Sequence, residues 1–265
     1  MAYTIDPAVH ERLLTMLDAV GSICGQLNIP YYLCYGSALG AIREQGIIPW
    51  DEDIDLVMWR KDYERFVKQA PALLPQGLVL QDYRLSPHYP FQFCKVTDPA
   101  TTLIYKQFRR VDMVHGISID ICPLDMAPDD EKGQRKQHGA FLKLNRILAN
   151  EVSPSWKVKL LLTVVPKARA VRHYEKKLQR WNRKATGTVY CNIGDNWKER
   201  FMPASFYGTP RFIPFADRTA PVPEKAEEYL TWCFGDYMTP PPEQDREGQP
   251  HLAIDVNKSY LEYLK

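Results

Sequence analysis

The run Trp50-Asp51-Glu52-Asp53-Ile54-Asp55-Leu56 constrains the fold more than any other segment. Alternate residues of a β-strand point to the same face. Asp53 and Asp55 therefore stand side by side, while Ile54 and Leu56 turn to a core. Adjacent carboxylates repel unless a cation lies between them. Mg²⁺ fits such a pair, being a hard ion held by one or two carboxylates together with substrate phosphates. Mn²⁺ is the alternative ion. The strand thus needs a packed face on one side and a polar cleft on the other.

Two further segments extend this requirement. Tyr31–Tyr35 is a short apolar strand that runs into Gly36-Ser37 and then a helix from Ala38 to Arg43. Glycine permits close backbone approach there, and backbone N–H groups with the Ser37 hydroxyl can hold a phosphate. In Ile117-Ser118-Ile119-Asp120-Ile121-Cys122-Pro123-Leu124-Asp125, apolar residues alternate around Asp120. If that strand lies beside Asp53–Met58, Asp120 completes a metal triad or takes the proton of an attacking hydroxyl. Together these are the parts of a metal-dependent phosphoryl or nucleotidyl transfer site. Asp51 and Glu52 are ambiguous, since simple loop charges would read the same way, and Asp125, after Pro123, reads as a turn or cap residue.

The remaining pattern is mixed. Asp6-Pro7 opens a long amphipathic helix to about Leu27, with apolar residues at Val9, Leu13, Met16, Leu17, Val20 and Ile23. Lys61–Leu74 reads as a second helix. Leu78–Tyr83, Phe91–Val96, Thr101–Lys106 and Gly116–Cys122 read as strands, the last stopped by Pro123. From Asp129 to about Lys184 the pattern is helical, interrupted near Pro154 and Pro166. Thr186–Pro223 has no clear period, Glu224–Phe234 is helical, Gly235–Pro250 is irregular, and the last residues read as surface. The fold class expected is α+β: a mixed β-sheet with flanking helices plus a helical insert. The division expected is a catalytic core over 1–126, a basic insert over 127–185 and a C-terminal part, 186–265, completing the acceptor side.

Charge enters because its total misleads. The 265 residues carry a net +2, which by itself argues against polyanionic partners. Yet Lys132–Lys184 holds 15 Lys and Arg against only Glu151 and Glu175, an excess of 13, and the remainder carries an excess of 11 acids. The near-neutral sum is a cancellation. No nucleic-acid motif accompanies the basic stretch. Its segment Trp156–Arg172 has an apolar centre, Leu160–Val165, too short to span a bilayer but suited to an anionic membrane surface or to a lipid-linked glycan's diphosphate. The six cysteines form no C-x-x-C pair, and the polar start Met1–His10 is unlike a signal peptide. A reducing, cytoplasmic setting is expected, peripheral to the membrane's inner face.

Tyr35–Leu56 strongly resembles the LicD family, to which fukutin-type proteins are distantly related. Cys94-Lys95-Val96 within Phe91–Thr102, the block Ser118–Asp125, and Phe234-Gly235-Asp236-Tyr237-Met238 within Tyr229–Pro241 agree with it. The resemblance spans about Ile29–Pro250. It implies a nucleotidyltransferase-like fold that moves phosphocholine or a related phospho-alcohol onto a glycan. By position it makes Gly36 and Ser37 the phosphate-binding segment. It makes Asp53, Asp55 and Asp120 metal ligands, Asp51 an outer member, and Arg43 and Lys95 contacts to the donor phosphate. Glu52 stands where the family often has Asp.

The donor implied is CDP-choline or a similar conjugate, with CMP released. A choline head binds ring faces, and Tyr35, Trp50, Tyr89, Phe91 and Phe93 are the rings near in sequence. Two rival functions stay open: a nucleotidyltransferase adding NMP to a small acceptor, and a non-catalytic membrane-associated binding module.

Overall fold

The computed structural model describes residues 4–86, 88–184, 186–193, 197–246 and 250–264. The first three residues of the chain, and 247–249 of the Gly235–Pro250 stretch, lie outside them. In chain order the elements are α1 (Pro7–Leu27), β1 (Tyr32–Leu33), α2 (Tyr35–Arg43), β2 (Ile54–Trp59), α3 (Arg60–Gln69), β3 (Val79–Gln81), β4 (Cys94–Thr97), β5 (Thr102–Tyr105) and β6 (Ser118–Ala127). Then follow α4 (Glu131–Leu148), α5 (Trp156–Val164), α6 (Lys167–Leu178), β7 (Thr188–Cys191), β8 (Phe201–Pro203), β9 (Arg211–Phe215), β10 (Arg218–Val222), α7 (Ala226–Phe234) and β11 (His251–Asp255). The fold is α+β.

The main sheet runs β1-β2-β6-β4-β3, and β7 and β8 extend it from the far half of β6. β2 and β6 are parallel; their neighbours pair antiparallel. Ile54, Leu56, Met58, Ile119 and Ile121 are fully buried, as the alternation requires. α1 covers the core with Val9, Leu13, Met16, Leu17, Val20 and Ile23. Each such side chain removed from water contributes about 1.5–3 kcal/mol. The Asp6 carboxylate caps the helix by accepting the Ala8 N–H at 2.9 Å. At the other end Asn28 takes the left-handed conformation, φ 51°, which Asn tolerates at a helix end.

Two expectations are corrected. β6 does not stop at Pro123 but continues to Ala127. On one edge it pairs with β4 up to Ile121 and with β7 from Leu124 onward. Pro123 falls at the handover, where a missing N–H costs no ladder bond to either strand. Asp125 is accordingly a buried strand residue rather than a turn or cap. Its two oxygens accept from Arg60 Nε and a terminal nitrogen at 2.9 and 2.6 Å, and Asn182 donates a third bond at 2.7 Å. The last residues lie at the surface as expected, none of 251–264 being buried, and within them β11 pairs with β5, setting Asp255 opposite Thr102.

α4 and α6 pack on each other through Ala140, Phe141, Leu144 and Leu178. α5 rests on Ile147 and Ala170 through Val158. No helix among the described residues is long and apolar enough to cross a membrane. All six cysteines are free thiols, five of them buried.

Candidate active site

The parallel register sets Asp55 opposite Asp120, and the antiparallel register on the other side of β6 sets Lys95 opposite the same Asp120. Residues directly opposite across neighbouring strands project to one face. Asp55, Asp120 and Lys95 therefore form a row across three strands. Asp53, one residue ahead of β2, joins its end. One carboxylate oxygen from each of Asp53, Asp55 and Asp120 lies within 4.8 Å of the others. Lys95 Nζ is 2.7 Å from Asp120 Oδ1, and Ser118 lies 3.4 Å from both groups.

This crowding leaves an electrostatic mark. Burial, then the charges of Asp55, Asp51 and Asp120, push the Asp53 carboxyl well above the usual carboxylate range. Burial and Asp120 do the same to Asp55. Burial raises Asp120 too, with Lys95 pulling the other way. Asp51 is pushed up to about 7 by burial and by Glu52. For Lys95 burial alone would lower the pKa, but the charge and hydrogen bond of Asp120 carry it upward. A carboxylate set this costly in charge, and offering several hard oxygen ligands, has the donor chemistry of a divalent cation site.

Gly36 and Ser37 lie within the first turn of α2, because the helix begins at Tyr35 rather than after them. The start of α2 is pinned to neighbours: Cys34 N–H donates to Asp55 O, and Tyr35 N–H to the Tyr229 hydroxyl. Ser37 Oγ accepts the Asp55 N–H at 2.8 Å, which leaves its own O–H to donate elsewhere. A side chain at position 36 would bring its Cβ to 2.9 Å from Asp51 Oδ2. Glycine is what lets Asp51 close over the helix start. Glu52, ambiguous from the sequence, is buried too, so it is not a solvated loop charge.

A cavity of about 190 Å³ opens beside Asp53, Asp120 and Lys95. Its aromatic wall is Phe91, Phe93, Tyr105 and Phe108. Phe91 and Phe93 stack at 5.0 Å, and Lys95 Nζ lies 5.5 to 6.0 Å from the Phe91, Phe93 and Tyr105 ring centres. Of the rings near in sequence, then, Phe91 and Phe93 reach the cavity. Tyr89 is buried behind Phe91, and Tyr35 packs with Tyr229 and Phe234. Trp50 stands outside the cavity lining, under Arg246 at 5.0 Å. Arg43 closes α2 at its far end, bonded to Glu44 and to the Tyr237 carbonyl. Sequence reasoning misses Tyr105 and Phe108. The alternation Thr102–Tyr105 is a signal for the first; nothing local marks the second.

The stretch that holds these carboxylates, residues 28–124, matches the family described as LicD/FKTN/FKRP, nucleotidyltransferase domain. Residues 28–124 are thus similar to that family's nucleotidyltransferase domain, in line with the resemblance in Tyr35–Leu56. Among individual relatives, it is 27% identical over 266 residues to the lipopolysaccharide cholinephosphotransferase LicD of Haemophilus influenzae, covering 94% of this chain and 95% of the relative. An uncharacterized protein of Rickettsia prowazekii is 36% identical over 105 residues, 40% of this chain and 38% of that one. The ribitol-5-phosphate transferase FKTN of Mus musculus is 34% identical over 62 residues, 23% of this chain and 13% of the relative.

Proposed function

We propose that the chain is a metal-dependent phosphotransferase. It moves phosphocholine, or a similar phospho-alcohol, from a CDP-activated donor to a glycan hydroxyl and releases CMP. The observation that carries this is the convergence of Asp53, Asp55 and Asp120 beside an aromatic cavity. Likeness to a cholinephosphotransferase along nearly the whole chain supports it. A new P–O bond forms to the glycan oxygen, the P–O bond to CMP breaks, and the hydroxyl proton is lost. Asp53, Asp55 and Asp120 would hold the cation, Mg²⁺ or Mn²⁺, with Asp51 behind them. That ion supplies charge neutralisation at the donor phosphates.

The chain's own groups do the rest. Asp120 takes the hydroxyl proton. Lys95, fixed by Asp120 in the row, adds positive charge where negative charge builds on the transferring group. Gly36 and Ser37 offer close backbone and one O–H to a phosphate. Phe91, Phe93, Tyr105 and Phe108 exclude water and present ring faces, which suit a quaternary ammonium. In this proposal residues 1–126 do the chemistry, the helices of 127–185 are an addition, and 186–265 complete the acceptor side.

A second reading, transfer of NMP to a small acceptor, is favoured by the nucleotidyltransferase character of residues 28–124. Products separate the two. CMP release from CDP-choline supports phospho-alcohol transfer, and pyrophosphate release from CTP supports NMP transfer. A thermal-shift comparison of cytidine conjugates with and without Mg²⁺ gives the donor class, since a ligand that binds only the folded state raises its midpoint.

A further inference from the structure

The helical insert presents a surface that the transfer chemistry does not use. α5 buries Val158 against Ile147 and Ala170, with Leu161, Leu162 and Val165 packed beside it. Its other side carries Trp156, Leu160 and Val164, which are 70%, 61% and 81% exposed. They recur at intervals of four and so form one stripe along the helix. An exposed apolar stripe with a tryptophan at its end needs a partner.

The charge around the stripe says which partner. The window Lys132–Lys184 carries 15 cations and two acids. Both acids are already engaged by the loop near residue 85, Glu175 by the Tyr83 hydroxyl and Glu151 by His88. Among the described residues no ion pair holds Lys157, Lys159, Arg169 or Arg172, and all four are exposed. A second copy docking through the same face would set like charge against like. A nucleic acid would take the charge but leave the apolar stripe in water. An anionic bilayer takes both, with apolar side chains among the acyl chains and cations at the headgroups.

We infer that α5 lies flat in the surface of an anionic phospholipid membrane, inserting Trp156, Leu160 and Val164, with Lys157, Lys159, Arg169 and Arg172 at the lipid phosphates. Nine residues span about 14 Å along the helix axis, far short of a bilayer, so the segment docks without crossing. The surface is separate from the carboxylate site and stands whether or not the transfer proposed above is correct.

Flotation of the full chain with vesicles of phosphatidylcholine alone, or with 30% phosphatidylglycerol, tests it. Binding is expected to the anionic vesicles at roughly 0.1 M NaCl and to weaken strongly at higher salt, as screening requires. The triple variant Trp156→Ser, Leu160→Ser, Val164→Ser and, separately, Lys157→Glu with Lys159→Glu should each lower the bound fraction at least tenfold. Circular dichroism should be unchanged for both, because these side chains are exposed. Asp53→Asn should bind as wild type. No binding to anionic vesicles, equal binding to neutral ones, or undiminished binding by the folded triple variant would overturn the inference. So would a wild-type dimer in sedimentation equilibrium that the triple variant abolishes, since a second copy would then occupy the stripe.

Discussion

Asp53, Asp55 and Asp120 are legible in the sequence, because a period of two assigns faces and each is flanked by buried isoleucine or leucine. What the sequence hides is how their charge is held. Lys95 reads locally as one more residue of an aromatic strand, and its ion pair with Asp120 depends on register across β4 and β6. Two substitutions separate the roles. Asp53→Asn removes one of the mutually repelling charges. It should raise the metal-free thermal midpoint by a few degrees while lowering transfer at least a hundredfold, a trade common at functional sites. A lowered midpoint with transfer intact would count against crowding of the three carboxylates. Lys95→Met leaves Asp120 buried without its cation, a change that costs about 3–5 kcal/mol when the remaining charge stays ionised. Protonated Asp120 needs no such partner, so urea unfolding should show a larger loss at pH 8 than at pH 5.

Among the elements, α1, β2, α3 and α7 are readable from periodicity and capping. The sequence cuts β6 short because proline ordinarily ends a strand. It does not do so here, since Pro123 falls where β6 exchanges one antiparallel neighbour for another. That continuation puts Asp125 beneath the start of α3, where Arg60 grips both its oxygens. A fork-on-carboxylate pair of this kind is directional as well as strong. Asp125→Ala should cost about 3–5 kcal/mol by stranding the Arg60 guanidinium. The check is denaturant unfolding, and a loss under about 1 kcal/mol would mean that the pair is not what ties α3 to β6. The strands β7 to β11 have no readable signal, because short segments of aromatics and prolines carry no period and several of their partners lie far away in the chain.

The whole chain's net charge of +2 says little, since a basic helical insert offsets acids concentrated elsewhere. The acidic side has a consequence for stability. Burial and like charge raise the folded-state pKa of Asp51, to about 7, and of Asp53, Asp55 and Asp120. The same groups titrate near ~3.9 when unfolded. Between those values the folded protein binds more protons, so without metal its stability falls as pH rises from about 4 through 7. Divalent cation binding replaces those protons. The thermal midpoint should therefore gain more from Mg²⁺ at pH 8 than at pH 5, and an equal gain at both would contradict the shared site. The most direct measurement is product analysis with CDP-choline and, in parallel, CTP, using a glycan acceptor with and without Mg²⁺. The expected result is CMP and phosphocholine-bearing glycan from CDP-choline, only with the metal, and neither product from the Asp53→Ala, Asp55→Ala double variant. Full transfer by that variant, or pyrophosphate from CTP with no CMP from CDP-choline, would contradict it.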